Sequence, residues 1–89
     1  MKIVINSDFG GFSLSKAAYN ELGIPWDGHG FCKLYRADLR LVACIEKLGS
    51  AANGKHAELK IVEIPDDIEW EINECDGAEW VAEKHRTWE

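Results

Sequence analysis

The dipeptide Asp76-Gly77 constrains the fold of this chain more than any other short segment, because strand-like residues lie on both sides of it. An Asp-Gly pair supplies the two positive φ angles that the tightest hairpin turns require. The apolar residues before it alternate with polar ones, as in a strand with one buried face; they are Ile68, Trp70 and Ile72. The returning strand is predicted from Glu79 to about His85. The C-terminal third therefore predicts an antiparallel β-hairpin.

A two-residue loop would fix the register of this hairpin. It sets Ile72 opposite Val81, which is a favourable apolar pair. It also sets Glu74 opposite Glu79 beside the turn, where two carboxylates repel each other. A bulged three-residue loop therefore remains an alternative.

The N-terminal part predicts a strand followed by a helix. Residues 2–6 (KIVIN) form a continuous β-branched run, which is typical of a largely buried strand. Ser13 and Ser15 are both candidate N-caps for a helix that runs through about Leu22. Gly23 is well placed to end this helix.

A second helix is predicted between the N-cap Asp38 and Gly49. Its apolar residues have the spacing i, i+3, i+4, i+7 of a buried helical stripe; they are Leu41, Cys44, Ile45 and Leu48. Residues 31–36 are interpreted as a short edge strand, and residues 57–64 as a further strand.

The predicted order of elements is β-α-(short β)-α-β-β-β. The economical arrangement is an α+β fold in which a small antiparallel sheet of three or four strands ends in a C-terminal β-meander. Two helices would pack on one face of that sheet. Eighty-nine residues are too few for two cores, so residues 1–89 are expected to form a single domain.

Composition favours a soluble protein of a reducing compartment. A hydrophobic content of 46% argues against disorder. The three cysteines have no paired spacing, and the N-terminus lacks the apolar segment of a secretory signal. No apolar run reaches the ~18 residues of a membrane span. We therefore expect free thiols and a cytoplasmic location.

Charge is divided unevenly along the chain. Residues 1–57 carry seven Lys/Arg and five Asp/Glu, a net charge of +2, whereas residues 58–89 carry three and eleven, a net charge of −8. An ordered negative surface could imitate the phosphate array of nucleic acid and bind a basic protein surface. The candidate partner-binding residues are Asp66, Asp67, Glu69, Glu71 and Asn73. An ordinary solvated sheet face is the alternative interpretation.

A second candidate site combines a glycine loop with C-terminal cations. Gly10 and Gly11 lie between a predicted strand and a predicted helix, where a backbone loop can hold an anion. Lys84 and Arg86 can hold phosphate, and Trp88 can stack on a base. Together these residues would bind a nucleotide or another small anion. The alternative is an amphipathic terminal strand.

The chain has no motif that indicates catalysis or a bound metal. His29 and Cys32 have a ligand-like separation, but no second pair with matching spacing follows them. The carboxylates do not form a recognisable acid-base pair. We therefore expect a protein that is not an enzyme and that needs no metal or other cofactor.

Three segments resemble a family of small uncharacterised proteins of bacteriophages and prophages: residues 2–6 (KIVIN), 10–15 (GGFSLS) and 76–88 (DGAEWVAEKHRTW). Residues 38–64 are similar in pattern, so the likeness covers most of the chain. This resemblance implies a phage setting. Small acidic phage proteins are often inhibitors of host defence, including anti-CRISPR proteins that imitate nucleic acid.

The expected function is therefore that of a counter-defence protein that binds stoichiometrically to a host defence protein or ribonucleoprotein complex through its acidic face. It would act in the host cytoplasm, without contacting nucleic acid or membrane directly. The alternative function is the sequestering of a small nucleotide or anion at the second candidate site.

Overall fold

A computed structural model describes residues 1–31 and 33–84 of the chain. The elements are the strand β1 (Lys2–Asn6), the helices α1 (Lys16–Leu22) and α2 (Leu39–Leu48), a 3₁₀ helix (Gly49–Ala52), and the strands β2 (Leu59–Glu63), β3 (Trp70–Cys75) and β4 (Ala78–Glu83). This combination of two helices and antiparallel strands is the predicted α+β class. No helix among the described residues is both long and apolar enough to cross a bilayer.

The strands form two separate two-stranded sheets, not one meander. β1 pairs with β2 in antiparallel register, with Val4 opposite Ile61, and β3 pairs with β4. The predicted C-terminal meander of β2, β3 and β4 is not formed in the described residues, because β2 takes the first strand of the chain as its neighbour. The predicted edge strand at residues 31–36 is also wrong for the described part of that stretch. At its end, the Arg36 carbonyl accepts a hydrogen bond from the Val4 N–H at 2.9 Å.

Both helices begin at the side chains that favour helix starts. The Ser15 Oγ accepts a hydrogen bond from the Ala18 N–H at 3.1 Å, and Gly23 ends α1 with a φ of 74°. Ser15 is therefore the N-cap of the two candidates. Asp38 caps α2 by accepting from the Arg40 N–H at 2.8 Å.

The largest apolar cluster joins the two helices to β1. Its buried members are Val4, Leu14, Ala18, Tyr19, Leu41, Val42, Cys44, Ile45 and Ala52. Three members of the predicted α2 stripe are among them, and the fourth, Leu48, packs against the cluster. Ile3 and Ile5 project from the other face of β1 and are also buried, at 0% and 4% exposure. Burial on both faces explains why β1 is a continuous apolar run.

Candidate functional site

The β3–β4 hairpin carries many of the acidic residues that the sequence singles out. Its two turn residues have φ angles of 52° and 93°, as the tightest hairpin turns require. Ile72 lies opposite Val81, and Glu74 lies opposite Glu79. The hairpin therefore has the two-residue loop, one of the two alternatives that the sequence left open, and not the bulged three-residue loop.

Arg36 forms an ion pair with Glu79, which therefore does not belong to the solvated acidic surface. The guanidinium donates to both carboxylate oxygens, with Nη1 2.6 Å from Oε1 and Nη2 3.0 Å from Oε2. The Arg36 and Glu79 side chains are only 22% and 9% exposed. Oε1 also accepts the Asn6 N–H at 2.9 Å, and the guanidinium stacks 3.6 Å from the centroid of the Phe12 ring. Because this charge is neutralised, Glu74 can stand opposite Glu79.

Asn6 fixes the hairpin turn to the end of β1. Its fully buried side chain donates from Nδ2 to the carbonyls of Gly77 at 2.8 Å and Asp8 at 2.7 Å. Its Oδ1 accepts the Glu58 N–H at 2.8 Å. The turn also lies against the loop after β1, since a Cβ on Gly77 would stand 2.4 Å from the Phe9 carbonyl oxygen. The hairpin is thus held by directional contacts at its turn.

Most acidic side chains from residue 58 onward are exposed and have no cationic neighbour within ion-pair distance in the described chain. Glu79 is paired with Arg36, and Asp66 with the N-terminal ammonium of Met1. Eight exposed carboxylates make no ion pair with any described residue; they are Glu58, Glu63, Asp67, Glu69, Glu71, Glu74, Asp76 and Glu83. Their charge is therefore available to a partner.

The register divides the hairpin into two faces, because residues directly opposite each other project from the same side. One face carries Trp70, whose ring lies 5.8 Å from that of Tyr35 between centroids, and also Glu79. We call the opposite face the outer face; it carries Glu71, Asn73, Cys75, Ala78, Trp80 and Ala82.

The structure brings three of the five predicted contact residues into one row. Glu71 and Asn73 lie on the outer face, and Glu69 continues that row, since its carbonyl accepts the Lys84 N–H at 3.0 Å. Asp66 and Asp67 lie in the turn before β3. Glu74 and Glu83 project from the other face of the hairpin, so the carboxylates surround it and do not form a single flat array.

Trp80 is the residue of this surface that sequence reasoning missed. Its side chain is 47% exposed, and it stands opposite Asn73 on the outer face. The signal was present in the sequence: once a two-residue loop is assumed, residue 80 must share a face with residue 73. Because aromatic residues are enriched in protein interfaces, this exposed indole is a candidate contact residue.

The second candidate site is divided between two places. Gly10 lines a cleft formed with residues 26–31 and 53–56. Lys84 lines a separate groove, where its neighbours are Asp67, Ile68, Glu69 and Glu83. Arg86 and Trp88 lie outside the described residues. Gly11 has a φ of 90°, as its position after a strand suggested.

Two further findings bear on what these surfaces bind. Within residues 1–31 and 33–84, no three His, Cys, Asp or Glu side chains come close enough together to hold a metal ion. Comparisons of the chain with protein-family models, curated proteins and solved structures return no match. Function has therefore to be inferred from the geometry of the chain itself.

Proposed function

We propose that this protein acts by stoichiometric binding, with the acidic hairpin docked onto a basic, nucleic-acid-binding surface of a partner protein. The observation that carries this proposal is the set of eight exposed carboxylates that no described cation neutralises. Six of them lie on the β3–β4 hairpin or next to it: Asp67, Glu69, Glu71, Glu74, Asp76 and Glu83. The turn of this hairpin is fixed by Asn6, and its one nearly buried carboxylate is neutralised by Arg36. The role is non-enzymatic and requires no cofactor.

The physical basis is exchange of counterions. Lys and Arg side chains that neutralise phosphates would neutralise this row of carboxylates in the same way, releasing the ions that both surfaces hold. Long-range attraction would also accelerate encounter and make binding sensitive to salt. The proposed contact rim consists of Asp66, Asp67, Glu69, Glu71 and Asn73.

Trp80 would provide the apolar anchor that charge alone lacks. Residues that carry most binding energy are often Trp, Tyr or Arg near the centre of an interface, surrounded by polar contacts. Trp80 has that position, because the outer face places it opposite Asn73 and beside Ala78 and Ala82. The combination favours a protein partner over free nucleic acid, which the negative charge would repel.

The resemblance to phage and prophage proteins provides the biological setting of this proposal. In that setting the partner is a host defence protein or ribonucleoprotein complex, such as a CRISPR effector, and the site of action is the host cytoplasm. Occupation of its nucleic-acid channel would inhibit the complex, as expected of an anti-CRISPR protein.

The test is binding to a panel of purified CRISPR effector complexes, measured by biolayer interferometry at about 0.1 M and 0.3 M salt, with target DNA as competitor. We expect one member of the panel to bind, more weakly at the higher salt, and DNA to compete. The double substitution Glu69→Lys with Glu71→Lys should weaken this binding at least about tenfold, or about 1.4 kcal/mol.

The matched control is Glu58→Lys with Glu63→Lys, which changes the net charge equally but just before β2 and at its last residue. Exposed charges outside the contact contribute little, so this variant should lose no more than about threefold in affinity. Equal losses in both variants would show that only net charge matters. Unchanged binding after charge reversal at residues 69 and 71 would remove the hairpin as the docking surface.

The alternative function, sequestering of a small nucleotide or anion, stays a prediction for the set Gly10, Gly11, Lys84, Arg86 and Trp88. A geometric observation favours one part of that hypothesis, the cleft beside Gly10. Apart from Gly10, the residues that line this cleft do not belong to the set.

A further inference from the structure

A cleft of about 520 Å³ lies between three segments of the chain, on the Gly10 side of the molecule. This volume is within the range of small-ligand sites. The segments are the loop after β1 with the start of α1, residues 26–31, and the turn at residues 53–56. None of these segments belongs to the acidic hairpin.

Backbone contacts hold the three segments tightly together. The Leu14 N–H donates to the Gly30 carbonyl at 2.8 Å, and the Gly54 N–H donates to the Ser13 carbonyl at 3.0 Å. Glycine is required at the points of closest approach. A Cβ on Gly10 would lie 1.9 Å from the His56 carbonyl oxygen, and one on Gly30 would lie 2.1 Å from that of Leu14. The cleft is therefore preformed by close-packed backbone.

The lining of the cleft is mainly apolar, with one lysine, two histidines and, among the described residues, no carboxylate. Lys55, His29 and His56 are all exposed. None of the three makes an ion pair with a described residue. A chain of net charge −6 thus keeps one concave surface free of negative side chains. Such a surface favours an anionic ligand.

The turn that carries two of these side chains has a strained backbone. Its closing bond runs from the Ala57 N–H to the Gly54 carbonyl at 3.1 Å, and His56 occupies its third position with a φ of 63°. Glycine is the usual residue at a position of this kind. The turn places Lys55 and His56 next to each other at the cleft.

Aromatic rings form the opposite side. Trp26 and Phe31 are 40% and 64% exposed, although both line the cleft. The His29 ring stacks on Phe31 with centroids 5.7 Å apart and planes at 10°. Trp26 is held edge-to-face by Tyr19 at 5.1 Å. Exposed, oriented rings of this kind provide a surface on which a planar ring can stack.

Asp27 orders the loop that presents these rings. Its Oδ1 accepts the His29 and Gly30 N–H groups, both at 2.7 Å, and its Oδ2 accepts the Tyr19 hydroxyl at 2.9 Å. The two backbone bonds hold the pKa of this carboxyl below its usual value. The Asp27 carboxylate is therefore engaged in hydrogen bonds within the protein, and Asp27 is not among the residues that line the cleft.

We propose that this cleft binds a nucleoside monophosphate, with the base against Trp26 and Phe31 and the phosphate near Lys55 and His56. The ligand must combine a planar ring with an anion, because the two sides of the cleft offer different chemistry. This site shares no residue with the acidic hairpin, and it needs neither Lys84 nor the C-terminal residues.

The test is isothermal titration of the full chain with AMP, GMP, CMP and UMP, followed by adenosine and inorganic phosphate as the two halves of the ligand. We expect at least one nucleotide to bind with a Kd below about 1 mM, and each half to bind at least about tenfold more weakly. Lys55→Glu should lower nucleotide affinity at least about tenfold, whereas the control Lys60→Glu, an exposed lysine on β2, should leave it unchanged.

Trp26→Phe separates folding from stacking. It keeps an aromatic ring against Tyr19, so the melting temperature should stay close to that of the parent while nucleotide affinity falls about threefold or more. The proposal would be overturned if none of the four nucleotides bound at about 5 mM. It would also be overturned if inorganic phosphate alone bound as tightly as the nucleotides, or if a short oligonucleotide bound and the mononucleotides did not. The variant Glu69→Lys with Glu71→Lys should bind nucleotide normally, so failure at the hairpin and failure at the cleft can be distinguished.

Discussion

The helical half and the hairpin half of this molecule are held by different kinds of contact. The helices and β1 share an apolar cluster, in which Val4, Leu14 and Leu41 are fully buried. The hairpin is attached to β1 through polar groups: the Arg36–Glu79 pair and the side chain of Asn6. Charge divides in the same way, since residues 1–57 have a net charge of +2 and the acidic residues follow.

This difference shows how a strongly negative element, the β3–β4 hairpin, can be kept in a fixed orientation. Apolar packing supplies much free energy but little direction, whereas a bidentate ion pair and a buried amide specify an orientation. The face of the hairpin that carries Trp70 also carries Ile72 and Val81, but these side chains are only half-buried, so the polar contacts fix the orientation. Five variants can break or sharpen this comparison.

Leu41→Ala should have the largest effect on stability. Leu41 is 0% exposed within the apolar cluster, and truncating a buried leucine costs about 3–4 kcal/mol through lost burial and the cavity that remains. Urea denaturation followed by circular dichroism measures this loss. The control is Leu39→Ala, two residues earlier in α2 at 83% exposure, which should change stability by no more than about 0.5 kcal/mol. Similar losses in both variants would contradict the assignment of this core.

Glu79→Ala should come next, at about 2–3 kcal/mol, because it leaves the guanidinium of Arg36 largely buried without its partner. The lower end is favoured by the 22% exposure of Arg36. Hydrogen exchange should show the loss concentrated in the hairpin and β1. Glu74→Ala, directly opposite and exposed, is the control and should be close to neutral.

A double variant, Arg36→Met with Glu79→Leu, sharpens the comparison further. If the pair serves orientation more than stability, this variant should recover most of the unfolding free energy lost in Glu79→Ala. It should also lose protection from exchange at the hairpin turn. Full recovery of both properties would show that polar attachment is not needed.

Gly77→Ala should cost about 2 kcal/mol. Residue 77 has a φ of 93°, which L side chains rarely adopt, and the new Cβ would lie 2.4 Å from the Phe9 carbonyl oxygen. Gly28→Ala has a similar φ of 86° but no atom within 4 Å of the new Cβ, so it should lose only about 1 kcal/mol. Thermal melts of the two variants measure the difference. Equal losses of stability in the two variants would mean that the hairpin turn does not closely contact the loop after β1.

Asp27→Asn should have the smallest effect, and the effect should be clearest in the dependence of stability on pH. Backbone bonds from Gly30 and His29 lower the pKa of Asp27 in the folded state, so its contribution to stability is present above the unfolded value of about 3.9. That contribution disappears as the pH falls through the folded pKa. Melting temperatures between about pH 2 and 7 should therefore decline less steeply at acid pH in the variant. An identical decline in both proteins would contradict this assignment.

Local structure was predictable from the sequence where a signal and its structure share the same few residues. Ser15 and Asp38 cap their helices, and the Asp-Gly turn sets the register of β3 and β4. In each case the determining interaction spans fewer than about five residues, so propensity and pattern are enough.

Long-range pairing was not predictable in this way. β1 and β2 are separated by more than fifty residues, and nothing in either strand specifies the other as its neighbour. The same holds for Arg36 with Glu79, where the sequence presents one more acidic residue in an acidic segment. The cleft has no motif at all, because three loops form it only after close backbone contacts bring them together.

The short loop Phe9–Gly11 lies between the two candidate surfaces. The hairpin turn at Gly77 rests on one side of it, and the turn at His56 rests on Gly10 from the other. If binding at one surface moved this loop, the movement would be transmitted to the other surface through a few close-packed backbone atoms. By reciprocity, any such coupling acts equally in both directions: a molecule seated in the cleft would alter affinity at the hairpin by the same factor that a docked partner alters affinity in the cleft.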